Sequence, residues 1–332
     1  MNRSNPYNLL HHLFSPTRYF EGNERKYINM KLSVFVVTYN QEQYIRQCLD
    51  SIVMQQINFD YEVIIGEDCS TDSTPQICDE YAEKYPFIHV YHHQKNLGLV
   101  KNWEFVLNRC TGEYVAMIEG DDYWTNPNKL QTQVDYLEAH TDCQICFYKP
   151  SVVFTEYVKE DQKKRDTLIF EHLRPKIYSR TEVYEKWTIL TGTVMYRSPS
   201  VKYKFSSKID IVDTFFFLSL MENGSADCIE FDGTAYRRTG TNYSADASIE
   251  SYKKLYYQYN YYSSVMPDLK EISKKKAMDY LSCLIYDKNS EDTWKYRFRY
   301  MWMNKKLFFS SFFTTTILSY VIKPFTRKLC NH

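Results

Sequence analysis

Four apolar segments alternate with three helical segments over about 90 residues of this chain. The predicted strands are 31–38, 61–65, 88–91 and 114–118, and the predicted helices between them run over about 42–54, 75–84 and 100–109. Each strand is a short, mostly apolar run, as expected for a strand that is buried on both faces. This alternation indicates an α/β fold whose sheet is parallel and whose crossovers are right-handed.

Polar residues follow three of these strands at the point where each strand ends. The polar clusters are residues 38–40, 67–68 and 119–122. In sheets of this kind, ligands bind outside the carboxyl ends of the strands. The three clusters therefore predict one ligand site along a single edge of the sheet.

The last of these clusters contains three carboxylates within four positions, Glu119, Asp121 and Asp122. Like charges this close repel one another, so the folded chain must offset them. Mg²⁺ and Mn²⁺ are hard cations that bind carboxylate oxygens and often share their coordination shell with a substrate diphosphate. Gly120 would let the backbone come close to such a ligand. The alternative interpretation is a solvated acidic turn after a strand.

The sequence argues against several other classes of ligand. No G-x-G-x-x-G motif follows the first strand, which argues against a dinucleotide-binding oxidoreductase. The G-x-x-x-x-G-K-[ST] motif of a P-loop ATPase does not occur either. The net charge is zero, so we expect no nucleic-acid partner.

The cysteines and the N-terminal segment bear on the cellular compartment. The nine cysteines are scattered, and Cys143 and Cys146 form the only close pair. Neither a second pair nor His residues at zinc-ligand spacing accompany them, so we expect free thiols in a reducing compartment. Residues 1–30 lack the apolar core segment of a secretory signal peptide. We therefore expect an N-terminal extension at 1–30 and a cytoplasmic protein.

Four motifs in the first half of the chain occur together in one known family. They are S-V-F-V-V-T-Y-N at 33–40, E-V-I-I-G-E-D-C-S-T-D-S-T at 62–74, N-L-G at 96–98 and T-G-E-Y-V-A-M-I-E-G-D-D-Y-W at 111–124. In this order they resemble the nucleotide-sugar-binding half of GT-A-fold glycosyltransferases of family 2. The resemblance covers residues 31–140, about a third of the chain. It implies a mostly parallel central sheet flanked by helices, and the transfer of a sugar from a nucleoside diphosphate to a hydroxyl group.

The resemblance also implies which residues contact the nucleotide. Glu67 or Asp68 would hold the base. The residues that would border the nucleotide or lie near it are Thr38, Tyr39, Glu42, Lys95 and Asn96.

The diphosphate and its cation are assigned by the same resemblance. Asp121 and Asp122 fall on the metal and ribose motif of the family, and Asp122 is the first choice for binding the cation, Mn²⁺ or Mg²⁺. Glu119 stands where the family often has Asp, and its longer side chain either ligates the cation or shapes the loop. Arg237 and Arg238 are implied as partners of the diphosphate. The alternative for both arginines is a surface pair bonded to carboxylates.

The acceptor half of the fold is expected at residues 141–245. Residues 210–218 resemble the segment that brings the catalytic base to the start of a helix, which makes Asp213 the implied base and Asp210 the second choice. The alternative for Asp213 is an acid in the first helical turn, where the helix dipole favours negative charge. One base and an in-line displacement invert the anomeric centre, so we predict an inverting transferase.

The C-terminal region, residues 246–332, is predicted to be a helical appendage. Apolar residues recur at helical spacing at several points between 250 and 303. Residues 307–322 carry no charge and have basic flanks, but a membrane-spanning helix needs about 20 apolar residues. We expect a helix within 305–328 to lie on an anionic membrane surface, at the inner face of the cell membrane. The alternative is a buried closing helix.

Together these observations predict a metal-dependent, inverting glycosyltransferase of the hexosyltransferase type. The donor would be a nucleoside-diphosphate sugar, with UDP the commonest nucleotide of the family, and the acceptor a saccharide hydroxyl. The acceptor would be lipid-linked if the C-terminal segment binds the membrane, as in the assembly of a bacterial surface polysaccharide. One alternative is a sugar-phosphate nucleotidyltransferase, which would need a loop rich in Gly and in Arg or Lys after its first strand. The other is a non-catalytic nucleotide- or saccharide-binding protein with the same fold.

Overall fold

The computed structural model describes residues 30–186, 188–198, 203–239 and 248–286. The predicted membrane-associating segment at 305–328 and nearly all of the predicted extension at 1–30 lie outside these residues. The chain divides between Ala245 and Asp246 into two compact units. Among the described residues, no helix is long and apolar enough to cross a membrane.

The first unit is built from a larger and a smaller sheet with helices packed against them. In chain order, the strands are β1 (Leu32–Thr38), β2 (Tyr61–Glu67), β3 (Ile88–His92), β4 (Tyr114–Glu119), β5 (Tyr123–Trp124), β6 (Cys143–Phe147), β7 (Ser151–Phe154), β8 (Lys176–Tyr178), β9 (Met195–Arg197), β10 (Ser225–Cys228) and β11 (Thr234–Arg238). The helices are α1 (Ile45–Val53), α2 (Thr74–Lys84), α3 (Leu99–Leu107), α4 (Lys129–Ala139), α5 (Glu160–Thr167), α6 (Arg180–Glu185) and α7 (Val212–Leu220).

The larger sheet is mostly parallel, as predicted. Its strand order is β3-β2-β1-β4-β9-β6-β10-β8, and the smaller sheet has the order β5-β11-β7. The four predicted strands, β1 to β4, pair in parallel, and the antiparallel strand β9 separates them from β6. Thr38 lies opposite Glu67, and Val37 lies opposite Glu119. This register brings the ends of the three central strands, with their polar residues, to one edge.

Alternate residues of β1 pack into two separate layers of core. Val34 and Val36 belong to a cluster with buried residues of α1, α2 and α4. On the other face, Phe35 contacts Trp103 of α3, with ring centroids 5.0 Å apart, and Trp103 contacts Phe216 of α7 at 6.0 Å. Helix α1 buries one apolar face, which is made of Ile45, Cys48, Leu49 and Ile52.

Gly112 lies where the chain enters β4, and the backbone of β1 passes directly beside it. A Cβ added at Gly112 would lie 2.4 Å from the Ser33 nitrogen and 2.6 Å from the Leu32 carbonyl carbon. Backbone atoms cannot rotate away as a flexible side chain can, so the strands themselves would have to separate. We expect Gly112→Ala to lower the free energy of unfolding by about 1–3 kcal/mol, as overpacking typically does. Urea denaturation would measure this, and an unchanged midpoint would contradict the close approach.

The second unit contains the predicted C-terminal helices. They are α8 (Ile249–Val265) and α9 (Lys270–Tyr286), and a 3₁₀ turn at Pro267–Leu269 joins them. The rings of Tyr259 and Tyr280 stack between the two helices with their centroids 5.5 Å apart. Ser248 begins α8 as an N-cap, because its side chain accepts a hydrogen bond from the Ser251 N–H.

Candidate active site

Two loops at the carboxyl edge of the larger sheet are tied together by hydrogen bonds. They follow β1 and β2, and each contains one residue in the left-handed region, Asn40 at φ 51° and Cys69 at φ 60°. The Asn40 N–H donates to Ser70 Oγ at 2.9 Å, and the Thr71 N–H donates to Asn40 Oδ1 at 2.8 Å. These contacts hold the loops that contain the two predicted polar clusters together, and the two loops form one wall of the candidate site.

Three residues predicted to border the nucleotide lie on this wall. Thr38 is buried, and its hydroxyl donates to Gln41 Oε1 at 2.8 Å. Glu42 accepts a hydrogen bond from the Ser73 N–H at 2.9 Å. Tyr39 presents its ring to solvent and is 45% exposed. Glu42 is exposed as well, and of the three only Tyr39 offers an aromatic face to a ligand.

Glu67 is buried at the end of β2 and already has protein partners. One carboxylate oxygen accepts from the Ser70 N–H at 2.7 Å, and the other lies 3.3 Å from His92 Nδ1. The second nitrogen of His92 lies 2.8 Å from the Asp79 carboxylate. Glu67 therefore fixes the loop after β2, and any contact with a base would be made in addition to these bonds.

Asp68 organises the turn that precedes α3. Its two carboxylate oxygens accept from the N–H groups of Leu97 and Gly98 at 2.7 and 2.9 Å. Asn96 Oδ1 also accepts from the Gly98 N–H, at 3.0 Å. Asp68 and Asn96 thus lie close together, because both side chains accept from the same Gly98 N–H.

The carboxylate loop, residues 119–122, connects β4 to β5. Asp122 is only 1% exposed, and its Oδ1 accepts from the main-chain N–H of Arg237 at 2.7 Å. A Cβ added at Gly192 would lie 3.5 Å from Asp122 Oδ2. Glu119 and Asp121 are half-buried. Asp122 is therefore the buried aspartate of the carboxylate loop, and Asp121 is the more exposed one.

Burial and mutual repulsion make these carboxylates hard to ionise. Burial, together with the charges of Asp121 and Asp213, raises the pKa of Glu119 to about 8. Burial and the charge of Asp121 raise the pKa of Asp122 well above its ordinary value. Burial raises the pKa of Asp121 as well. Among the charges that raise the pKa of Glu119, that of Asp213 comes from a different element, helix α7.

This set of oxygen donors fits a hard divalent cation. Such an ion would remove the repulsion that raises these pKa values. Within the ranges that the structure describes, no group of three or more His, Cys, Asp or Glu side chains forms a metal site on its own. A cation at Asp121 and Asp122 would therefore complete its shell with water or with oxygens of a substrate, as Mg²⁺ commonly does.

The raised pKa of Glu119 predicts how stability depends on pH. The folded chain holds a proton that the unfolded chain releases, so stability is greatest below the unfolded pKa and falls as pH rises towards 8. Without a divalent cation, we expect the free energy of unfolding to fall by about 1 kcal/mol per pH unit for this group between pH 5 and 8. Glu119→Gln should remove this part of the slope. Urea titrations in EDTA would measure it, and equal slopes in both proteins would contradict the shift.

Asp213 lies in the first turn of α7, as predicted. It is half-buried, and its Oδ1 accepts from the Thr214 N–H at 2.6 Å. Burial raises the pKa of this carboxyl above its ordinary value, against the effect of that hydrogen bond. A carboxylate with a raised pKa is a stronger base, which is the property that proton abstraction from a hydroxyl requires.

Arg237 and Arg238 both have protein partners in the structure. Arg238 forms a buried ion pair with Asp166 at 2.8 Å, and it also donates to the Tyr236 hydroxyl. Arg237 donates to the Asp121 carbonyl and to Gln47. Arg238 is only 3% exposed, so the structure presents little of its guanidinium to a diphosphate.

Several residues that lie around the site were not predicted from the sequence. Gln41 accepts from Thr38, and the Arg237 guanidinium lies over the rings of Tyr44 and Tyr123. Tyr44 and Gln47 are three residues apart at the start of α1, a spacing that puts them on one helical face beside the end of β1. This spacing is the sequence feature from which Tyr44 and Gln47 could have been predicted to lie beside the site.

Comparisons with known proteins agree with this geometry. The family model described as Glycosyl transferase family 2 matches residues 33–203, just over half of the chain. An uncharacterized protein of Mycobacterium tuberculosis is 43% identical over 132 residues, which cover 40% of this chain and 38% of that protein. TarS of Staphylococcus aureus, a poly(ribitol-phosphate) beta-N-acetylglucosaminyltransferase, is 31% identical over 161 residues, which cover 46% of this chain and 28% of TarS. The matched regions thus span well under half of these relatives.

Solved structures show the same fold. Residues 1–349 of S. aureus TarS in complex with UDP-GlcNAc give a TM-score of 0.56 at 21% identity, over 76% of this chain and 72% of that chain. The mannosyltransferase PcManGT of Pyrobaculum calidifontis, in complex with GDP-Man and Mn²⁺, gives 0.53 at 17% identity, over 90% and 87%. The predicted GT-A fold is therefore confirmed. Together with the match to the family model, this shows that the chain belongs to glycosyl transferase family 2.

Proposed function

We propose that this chain is an inverting, metal-dependent glycosyltransferase that moves a sugar from a UDP-sugar to a saccharide hydroxyl. The observation that carries the proposal is the electrostatic interaction between Asp213 of α7 and the carboxylate loop after β4. The carboxylate loop follows β4, and the charge of Asp213 contributes to the raised pKa of Glu119 in this loop. A transferase needs both parts, one for the diphosphate of the donor and one for the proton of the acceptor.

On the donor side, the wall of the loops after β1 and β2 would receive the nucleotide. Tyr39, with its exposed ring, would stack on a planar base or a sugar. Glu67 and Asp68 would line the base site, and Thr38, Glu42 and Asn96 would border the nucleotide. The hydrogen bonds that these residues make to the loops hold the wall in a fixed shape before the donor binds, which reduces the entropy lost on binding.

Asp121 and Asp122 would hold the cation, Mn²⁺ or Mg²⁺, together with oxygens of the diphosphate. The cation supplies stabilisation of the negative charge that the leaving diphosphate gains. Asp121 has the more exposed side chain of the two. Asp122 would contribute to cation binding the negative charge of a buried carboxylate that bonds to the Arg237 main chain. Arg237 and Arg238 would add positive charge near the diphosphate.

Asp213 would act as the general base. As the acceptor oxygen attacks the anomeric carbon, the Asp213 carboxylate takes the hydroxyl proton, and the bond from that carbon to the diphosphate oxygen breaks. Attack from the side opposite the leaving group inverts the configuration. A positioned base typically contributes about two to four powers of ten in rate.

The name of one relative supports a class of acceptor. TarS is named as an enzyme that acts on poly(ribitol-phosphate), a polymer of repeating units. This supports an acceptor in bacterial surface polysaccharide for the present chain, at the cytoplasmic face of the membrane. The basic flanks within 305–328 support a lipid-linked acceptor, although that segment lies outside the described residues.

A donor panel would test the proposal. The purified protein is incubated with UDP-sugars, saccharide acceptors and Mn²⁺, and the release of UDP is measured. The anomeric configuration of the product is then read by NMR. We expect release from one donor above all others, dependence on the divalent cation, and an inverted product. Retention of configuration would contradict the single-base mechanism, and the formation of a nucleotide sugar from a sugar phosphate would favour a nucleotidyltransferase.

A further inference from the structure

The guanidinium of Arg237 is enclosed by the carboxylate loop, α1 and β5. Its Nη1 donates to the main-chain carbonyl of Asp121 at 2.6 Å, and its Nη2 donates to Gln47 Oε1 at 2.6 Å. The ring centroids of Tyr44 and Tyr123 lie 4.7 and 5.0 Å from the guanidinium carbon. The residue is only 8% exposed, so these contacts are largely shielded from solvent.

The main chain of Arg237 contacts the same loop. Its N–H donates to Asp122 Oδ1 at 2.7 Å. This bond follows from the smaller sheet, where β11 pairs with β5, and β5 begins directly after the carboxylate loop. Arg237 therefore contacts both aspartates, Asp121 through its side chain and Asp122 through its main chain.

We propose that Arg237 is a positioning residue that fixes the carboxylate loop, and that it acts on the donor and the cation through Asp121 and Asp122. The inference rests on the proposed function, because it requires the loop to bind a cation and a diphosphate. The planar guanidinium suits this role, since its fork of N–H groups reaches two separate acceptors while its central carbon lies over two aromatic rings. Its positive charge also offsets the two aspartates that it aligns.

The competing role is a direct bond from Arg237 to the diphosphate. Such a bond would come from guanidinium N–H groups other than those that donate to Asp121 and Gln47, or from a side chain that has turned away from these two partners. The two roles differ in one measurable way. A positioning residue affects the part of nucleotide binding that depends on the cation, whereas a direct ligand affects binding with and without the cation.

UDP titrations by calorimetry into the full chain, with and without Mn²⁺, separate these roles. The proteins are the wild type, Arg237→Lys, Gln47→Ala and the double variant. Lys keeps the charge but lacks the planar fork. Gln47→Ala removes one partner of the guanidinium at an exposed position, so it should fold even if Arg237→Lys does not. Gln43→Ala, at another exposed glutamine one turn earlier, is the matched control.

We expect Arg237→Lys to lower the Mn²⁺-dependent gain in UDP affinity by about 10- to 100-fold, as is usual for residues that orient metal ligands. Gln47→Ala should lower it less, and the double variant should match Arg237→Lys alone, because both changes disrupt the same contact. Affinity without Mn²⁺ should stay as in the wild type, and Gln43→Ala should change nothing.

Two results would overturn the inference, and they are distinguishable. If Arg237→Lys lowers UDP affinity equally with and without Mn²⁺, or if its effect adds to that of Gln47→Ala, Arg237 does not act by fixing the loop. If the wild type itself gains no UDP affinity from Mn²⁺, the proposed function fails, and the inference fails with it.

Discussion

Asp213→Asn is expected to lower kcat by about two to four powers of ten while the affinity for UDP stays as in the wild type. Asn has the shape of Asp, and its oxygen can still accept the Thr214 N–H that Asp213 accepts at 2.6 Å. It cannot take a proton from the acceptor hydroxyl. The substitution therefore removes the base and preserves the first turn of α7. Steady-state kinetics and UDP calorimetry would measure the two effects separately.

The pH profile of the wild type gives an independent check on the same residue. The base works when it is deprotonated, and burial raises the pKa of Asp213. kcat/KM should therefore fall on the acid side, with a midpoint above the ordinary range of an aspartate. Asp210→Asn is the control and should retain most of the activity. If Asp210→Asn is instead the more severe change, the assignment of the base to Asp213 is wrong.

Removing either charge of the carboxylate loop is the second change with a large expected effect. Asp121→Asn and Asp122→Asn should each lower kcat/KM by a hundredfold or more, since a cation at a leaving group contributes about several kcal/mol. Asn at position 122 can still accept the Arg237 N–H, so the fold of the loop should persist. Because Asp121 is the more open side chain, we expect its substitution to be the more severe.

The control for these variants is Asp135→Asn, an exposed acid on α4. It should behave as the wild type in kinetics and in metal titration. If Asp121→Asn keeps full activity while Asp122→Asn does not, the cation is bound by Asp122 without Asp121. If both keep full activity, the loop has no part in the reaction.

Four of the eleven strands that the structure describes in the first unit, β1 to β4, could be predicted closely because short, mostly apolar runs leave a clear signal. The predicted strand at 114–118 and the observed β4 differ by one residue, and β2 extends two residues further than predicted, to Glu67. That extension has a structural cause, since Glu67 pairs with Thr38 on one side and His92 on the other. The edge of the sheet at which the site lies could be predicted from the same pattern, because parallel pairing aligns the carboxyl ends of the strands.

The partners of the two arginines could not be predicted from local sequence. Arg238 pairs with Asp166, 72 residues earlier in the chain, and a basic residue on a strand looks the same whether it faces an internal carboxylate or a diphosphate. The local sequence also could not predict that Asp122 is more buried than Asp121. Asp122 is buried by Arg237 and Gly192, which come from distant segments, whereas the local sequence presents Asp121 and Asp122 as equivalent.

The most direct measurement is a calorimetric titration of UDP into the purified chain, with and without Mn²⁺, for the wild type and Asp122→Asn. We expect the wild type to bind UDP more tightly when Mn²⁺ is present, and Asp122→Asn to lose this gain while remaining folded. Failure of the folded wild type to bind UDP or any other nucleoside diphosphate with either Mn²⁺ or Mg²⁺ would contradict the proposed nucleotide and cation site. The acids at 119–122 would then be a solvated turn at the end of β4.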